Sequence, residues 1–500
     1  MTGRPSIILF NPSTWRGVGD ATAPWGLIAL AGLLPEVDFH LVDQRFSPNW
    51  ETEVARLLKG GNCILAAATG MTGVQLRGVL SFFSLVKLQR PDLPTMMGGI
   101  HASLLPLQTV AHPNIDYVMV GEGEEVLRSF VDDLLAGRNP QAVASTRTEG
   151  VIGAAYQGAV IGAGCTTFRH ATIDDLDRLP RPPHHRFAME PYIGRTSYGR
   201  TLSVLTSRGC PHGCAFCLYS NPQFSSRWRG QSAESAVAWM SELAATYAID
   251  HFHVQDDNFF VRGARVQSIV EGLAARGPSF TWTVGGAHVL HLRKLPVSFF
   301  KLMRRAGCVR LLIGAESGSR EILERIGKRQ DPTDIIEVNE RLLEAQIRPI
   351  YSFISGIPGE TDADLKATVA LMEKLRKPGS KVDVGTIKPL VFYPGTDLYQ
   401  WALDNGFVAP QDVAGWTHVT WDRYLELPYP WLSQERRRFL IKLYYTSLLW
   451  SPDYHWVNSP LFTGAARALM PITRYRMRNL DFRGSLMPDL LRLLQHLALS

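Results

Sequence analysis

The stretch Ser207-Arg208-Gly209-Cys210-Pro211-His212-Gly213-Cys214-Ala215-Phe216-Cys217 follows directly on the apolar run Leu202-Ser203-Val204-Leu205-Thr206. Its three cysteines decide how the chain is read. The spacing is CxxxCxxC, with an aromatic residue just before the last cysteine. Three thiolates on one short loop can hold three irons of a cubane cluster and leave the fourth iron open to another ligand. Structural zinc closes with four ligands, and no fourth Cys or His follows at zinc-finger spacing. His212 stands among turn formers and reads as a turn residue. The other cysteines, Cys63, Cys165 and Cys308, stand alone and read as small buried hydrophobes. Six cysteines in 500 residues are too sparse for a disulfide framework.

In this order along the chain, the cysteine loop and four later segments resemble the radical S-adenosylmethionine superfamily. His251-Phe252-His253-Val254-Gln255-Asp256-Asp257-Asn258-Phe259 is similar to the family's second barrel strand. Leu312-Ile313-Gly314-Ala315-Glu316-Ser317-Gly318 is similar to its ribose-binding strand. Ser355-Gly356-Ile357-Pro358-Gly359-Glu360-Thr361 resembles the turn beside the adenine, and Leu390-Val391-Phe392-Tyr393-Pro394-Gly395-Thr396 resembles the sixth-strand ending. The resemblance implies that Cys210, Cys214 and Cys217 bind a 4Fe-4S cluster. It also implies that S-adenosylmethionine chelates the open iron and is cleaved to a 5′-deoxyadenosyl radical. The expected cofactor contacts are Phe216, Asp256, Asp257, Glu316, Ser317, Gly356, Pro358 and Gly359. Taken alone, Asp256, Asp257 and Asn258 read equally well as helix caps, and the Gly-Ile-Pro-Gly-Glu-Thr run as a turn before a helix.

Ahead of this region, apolar strands at Ser6–Phe10, Phe39–Val42, Cys63–Ala68, Thr95–Met97 and Tyr117–Val120 alternate with helical stretches at Pro24–Leu34, Glu51–Leu58, Val74–Leu88 and Glu124–Ala136. Such alternation predicts a parallel sheet with helices on both faces, whose ligands sit beyond the carboxyl ends of the strands. Those ends carry Thr69-Gly70-Met71-Thr72-Gly73, Gly98-Gly99-Ile100-His101-Ala102-Ser103 and Gly121-Glu122-Gly123-Glu124. The segment resembles the cobalamin-binding domain that precedes the barrel in one branch of the superfamily. That implies cobalamin contacts from Thr69, Thr72, Gly73, Gln75, Gly98, Gly99, His101, Ser103, Gly121, Glu122 and Gly123. The DxHxxG run of histidine-ligated cobalamin domains is absent. His101 is therefore either a cobalt ligand or a residue that orients its loop, and Gln75 or Leu76 is a candidate to cover the lower corrin face.

The expected fold class is α/β. A doubly wound, Rossmann-like cobalamin-binding domain (1–140) and a linker (141–195) precede a partial (β/α)6 TIM barrel (196–400) and a mainly helical C-terminal domain (401–500). Aromatic residues crowd the last hundred positions: Trp416, Trp421, Tyr424, Tyr429, Trp431, Tyr444, Tyr445, Trp450, Tyr454 and Trp456. They read as core packing, or as a closure shaping a pocket for a sizeable, partly apolar small-molecule substrate. The tail from 434 onward carries an excess of Arg and Lys matching the whole net charge of +6. It reads as a solvated face, or as one that meets a membrane surface or an anionic substrate. Gln434–Trp450 reads as an amphipathic helix with Arg436, Arg437, Arg438 and Lys442 toward solvent. No transmembrane run and no signal peptide is seen, so a cytoplasmic setting is expected. Nothing resembles a nucleic-acid module.

The resemblance implies methylation of an unactivated carbon of a biosynthetic intermediate, through methylcobalamin and the 5′-deoxyadenosyl radical. An electron donor such as flavodoxin or ferredoxin is implied with it. An oxidative cyclisation or ring rearrangement, tetrapyrrole cyclase-like and without methyl transfer, is the second reading.

Overall fold

The computed structural model describes residues 3–13, 22–138, 160–162, 170–220, 227–277, 279–376, 382–450 and 460–484. Cys165, Tyr454 and Trp456 lie outside these residues. The chain divides into two compact units. One spans Met1–Tyr192 with Tyr393–Gly395 and Val408–Arg423; the other holds Ile193–Phe392, Thr396–Phe407 and Tyr424–Ser500.

The first unit is built on β1 (Ser6–Asn11), β2 (Asp38–Asp43), β3 (Cys63–Thr69), β4 (Thr95–Gly98), β5 (Tyr117–Met119) and β6 (Val160–Gly162), in the order β2-β1-β3-β4-β5-β6. The first five strands are parallel, and β6 joins the edge antiparallel to β5. Alternate side chains of β1 face opposite helix layers. Ile7 and Leu9 pack with Leu27 and Leu30 of α1 (Trp25–Leu30) and with Leu127 and Phe130 of the helix Glu124–Leu135. On the other face, Phe10 stacks on Phe82 at 4.5 Å and meets Trp50 at 5.0 Å, in α3 (Gln75–Gln89) and α2 (Trp50–Lys59) respectively. Each such aromatic, buried, contributes roughly 1.5–3 kcal/mol. This is the doubly wound arrangement that the strand–helix alternation predicts. Strand order reverses at β1/β3, so the site-forming crevice lies at the carboxyl ends of those strands. The expected Gly98–Ser103 loop is shorter than read: α4 (Ile100–Leu104) starts right after Gly99, and α5 (Pro106–Val110) follows it.

The second unit begins with β7 (Gly194–Thr196), which pairs antiparallel with β8 (Gly199–Val204). The small pair β9 (Ser207–Arg208) and β10 (Arg229–Gly230) follows. Then come β11 (His251–Val254), β12 (Thr281–Ala287), β13 (Cys308–Glu316), β14 (Arg348–Ser355) and β15 (Asp383–Pro389). Strands β8 and β11 to β15 are parallel neighbours in sequence order, the six strands of a partial barrel. Trp282 donates its ring N–H to the Ala306 carbonyl at 2.8 Å, and Tyr351 its hydroxyl to Asn339 at 3.1 Å. These residues therefore face the outer helices. Ser352 and Ile354, the alternate residues of β14, face the inside of the sheet and are only half-buried. The helix Gln434–Leu448 lies along β15, where Ser447 Oγ accepts the Ile387 N–H at 3.0 Å and engages an edge that would otherwise lie open. Its second half is buried on nearly every side. The amphipathic reading of this helix thus holds only for its first half. Even there Arg437 turns inward to the Leu425 and Leu427 carbonyls, because loop carbonyls bend back toward the helix. Trp416, Tyr424, Tyr429 and Trp450 are core residues, each under 2 % exposed.

Candidate active site

The cysteine loop leaves the carboxyl end of β8 and is pinned from below by three consecutive residues after β11. Asp256 is 1 % exposed and accepts from Thr206 N (2.6 Å), Thr206 Oγ1 (2.7 Å) and Ser207 Oγ (2.5 Å). Asp257 accepts the Gly209 N–H at 2.7 Å and a hydroxyl from Tyr219. Asn258 donates to Cys210 Sγ at 3.7 Å. Gly209 sits at φ 85°, a turn that a side chain would strain. The run therefore does not cap the next helix, which starts at Gly263 behind Arg262; it braces the loop. Burial raises the Asp257 carboxyl to about 6 and the Cys217 thiol to about 11, and also raises Cys214. The loop is held from the side as well, since Ala215 N donates to Ile326 O and accepts, through its own carbonyl, the Leu398 N–H, both at 2.9 Å.

Beside the loop, Glu316 ends β13 with its backbone at φ 63°, a left-handed conformation costing about 1–2 kcal/mol. Its carboxylate accepts from Lys328 Nζ at 2.9 Å, both side chains 7 % exposed. The ammonium also lies 6.0 Å from the Phe216 ring centroid. Burial pulls Lys328 down, but Glu316 and the nearby thiols hold it above its usual value. Gln330 donates to the Gly314 and Ala315 carbonyls at 3.1 and 2.9 Å. Lys328 and Gln330 escaped the sequence reading, because nothing in Ile326-Gly327-Lys328-Arg329-Gln330 marks side chains that fold back onto the end of the preceding strand.

The remaining expected contacts divide between scaffold and open positions. Ser317 is fully buried and bonded to Thr368 Oγ1 at 3.1 Å, so it braces the turn. Gly356 N donates to Glu360 Oε2 at 2.7 Å, and the Pro358 carbonyl accepts from Arg325 at 2.6 Å. Thr361 and Asp364 form a reciprocal capping box for Asp362–Leu375, so the run from Gly356 to Thr361 is also a helix entrance. Gly359, 78° in φ, lies against the Arg325 guanidinium.

In the first unit, the loops after β3, β4 and β5 interlock. Met71 N donates to Gln75 Oε1 at 2.7 Å, Thr72 Oγ1 bonds His101 Nδ1 at 2.9 Å, and Ser103 Oγ donates to Gly99 O at 2.8 Å and accepts from Gly121 N at 2.9 Å. Gly99 lies at φ 88°, where an added methyl would strike Thr69 Oγ1 and the Gly70 backbone. Gly73 is packed against Thr420, Gly98 and Gly123 against Met119, and Gly121 against Ala171. Glu122 accepts the Ile173 N–H at 2.6 Å. Leu76 is fully buried. His101 is also fully buried, its ring edge-on to Trp416 and burial lowering it to about 4. The neutral imidazole thus orients the loop through Thr72.

Comparison with known proteins agrees with this geometry. Residues 204–372 match the radical SAM superfamily and residues 17–131 the B12 binding domain. The chain belongs to the B12-binding branch of the radical SAM superfamily. An uncharacterized methyltransferase of Pyrococcus horikoshii is 28% identical over 88% of this chain and 91% of its own length. The fold is that of the cobalamin-dependent S-adenosylmethionine radical enzyme OxsB (TM-score 0.70, 16% identity, 98% of this chain and 75% of that one). It is also that of the radical S-adenosylmethionine methyltransferase TsrM from Kitasatospora setae (TM-score 0.63, 18% identity, 82% and 80%). This radical SAM enzyme accordingly uses a 4Fe-4S cluster, S-adenosylmethionine and cobalamin. The chain's own residues fit the cluster. Among the described residues no three His, Cys, Asp or Glu side chains are gathered tightly enough for a single metal ion, while a cubane takes each thiolate on a separate iron. The corrin fits the first unit, where His101 Nε2 and Thr420 Oγ1 are buried polar atoms without a hydrogen-bond partner beside the loops at the strand-order reversal. Among the described residues no helix is long and apolar enough to cross a membrane.

Proposed function

We propose that this radical SAM enzyme is a methyltransferase that places a methyl group on an unactivated carbon of a small biosynthetic intermediate. The observation that carries the reading is the cysteine loop braced by Asp256, Asp257 and Asn258, with the Glu316–Lys328 pair beside it. When bound, the cofactors supply a radical able to remove a hydrogen atom from carbon and a transferable methyl group. Cys210, Cys214 and Cys217 would hold the cluster. Phe216, Glu316, Gly356, Pro358 and Gly359 would line the S-adenosylmethionine site, with Asp256, Asp257 and Ser317 as positioning residues behind it. Thr69, Thr72, Gly73, Gln75, Gly98, Gly99 and Ser103 would meet the corrin, while His101, Gly121, Glu122 and Gly123 hold those loops in place. The protein keeps water out of the radical's path by burying the floor of the site. An electron donor of the flavodoxin or ferredoxin class and a cytoplasmic setting complete the proposal.

That the Pyrococcus relative and TsrM are methyltransferases supports methyl transfer, while an anaerobic magnesium-protoporphyrin IX monomethyl ester cyclase of Synechocystis, 24% identical over 68% of this chain, supports cyclisation as the second reading. The test supplies methyl-labelled S-adenosylmethionine, reductant and cell extract to reconstituted enzyme. A labelled product with 5′-deoxyadenosine is expected. 5′-Deoxyadenosine with an unlabelled, dehydrogenated or rearranged product would replace methylation by cyclisation.

A further inference from the structure

Lys388 is the next-to-last residue of β15 and sits in register with Ile354 of β14, one step after the pair Phe353–Ile387. Phe353 and Ile387 are buried, and Ile387 is tied to Ser447 of the covering helix. Lys388 and Ile354 therefore share the opposite face, the inside of the curled sheet. By accessible surface Lys388 is an exposed residue, yet enough protein surrounds its side chain for burial to lower its ammonium. A side chain has both properties when it stands in a cavity rather than in packed core or on open surface. Among the described residues its Nζ has no hydrogen-bond or ion-pair partner, whereas Lys328, which is buried, is matched to Glu316. Carboxylates at the same end of the barrel have other partners: Asp256 bonds Thr206 and Ser207, Asp257 bonds Gly209, Glu316 bonds Lys328, and Glu360 accepts the Gly356 N–H. A partly desolvated cation without a counter-charge is costly unless a ligand supplies one.

We propose that Lys388 is a specificity-determining residue that binds an anionic oxygen group, carboxylate or phosphate, of the substrate inside the barrel. This rests on the proposed reading that the substrate reacts within the barrel, and it narrows that substrate to an anion. The chemistry recognised is a compact charge on one side of the carbon to be modified, with Ile354 beside it for apolar contact. A lysine ammonium suits this role because it offers a point charge with three donors rather than a fixed planar fork.

The test measures the acetylation rate of Lys388 by mass spectrometry in the full, anaerobically reconstituted enzyme. Sodium phosphate or sodium acetate is added at matched ionic strength, with chloride as control. One of the two anions is expected to slow acetylation of Lys388 roughly tenfold while surface lysines are unaffected. Protection by phosphate alone assigns a phosphorylated substrate, and protection by acetate a carboxylate. Lys388→Met should abolish saturable binding of the protecting anion and Lys388→Arg should restore it, with the perturbation of the cluster's EPR signal by S-adenosylmethionine retained in both. No protection by either anion would overturn the proposal, as would loss of the S-adenosylmethionine signal in Lys388→Met, which would make the residue part of the cofactor site. Failure of the methyltransferase reading looks different: unlabelled product, from an enzyme whose Lys388 is still protected.

Discussion

At the residue scale, Asp256, Asp257 and Asn258 divide one task. The first locks the end of β8, the second fixes the turn at Gly209, and the third reaches Cys210. Their order sets where the first thiol stands before any cluster arrives. Cys210→Ala, Cys214→Ala and Cys217→Ala are each expected to abolish cluster assembly, read as loss of iron and of the visible absorbance, while corrin binding by the first unit persists. The buried Glu316–Lys328 pair has a different signature. Lys328→Met leaves a carboxylate at 7 % exposure without its partner, and such broken pairs destabilise by about 3–5 kcal/mol. Urea unfolding of the apo-protein should show that loss, and the double change with Glu316→Gln should recover part of it. Equal stability of Lys328→Met and wild type would mean that the pair anchors nothing.

At the element scale, the sites sit where strands end and the backbone must turn at once. Gly99 shows the constraint: it links β4 to α4 against Thr69 and Gly70, so Gly99→Val should weaken cobalamin binding together with thermal stability of the first unit. Retained binding in a folded Gly99→Val protein would remove this loop from the site. The turn after β14 has a pH signature. Burial raises Glu360 from 4.5 to about 8, so the folded protein keeps a proton that the unfolded chain releases. Stability from this group is therefore full below about pH 4.5 and is lost as pH rises through about 8. Glu360→Gln should flatten that fall in a series of thermal melts, and an unchanged slope would assign it to other groups. Much of this scale was legible in the sequence. The strands of the first unit were placed within a residue or two at their ends, because each is an apolar run bounded by turn formers. The cysteine loop was legible because its three thiols fall within eight residues. What escaped were contacts made only by folding: Lys328 reaching Glu316, Gln330 on the β13 carbonyls, β6 closing an edge antiparallel, and Arg437 turning inward. Asp256 and Ser317 were visible as polar residues at strand ends, but only the structure shows their side chains spent on bracing neighbours.

At the scale of the whole molecule, two α/β units each present the carboxyl ends of parallel strands, and each carries glycine-rich or cysteine-bearing loops there. The order of these units, together with matches of residues 17–131 and 204–372 to two cofactor-binding families, makes the account one of three cofactors on a single chain. Among the described aromatic residues of the last hundred positions, Trp416, Tyr424, Tyr429 and Trp450 are core packing within their own units, each under 2 % exposed. The most direct test is the cofactor content of one anaerobically reconstituted preparation, measured by metal analysis and absorbance beside its triple Cys210, Cys214 and Cys217→Ala variant. The account predicts about four irons and one corrin per chain in the wild type, and corrin without iron in the variant. Iron retained by the triple variant would contradict it.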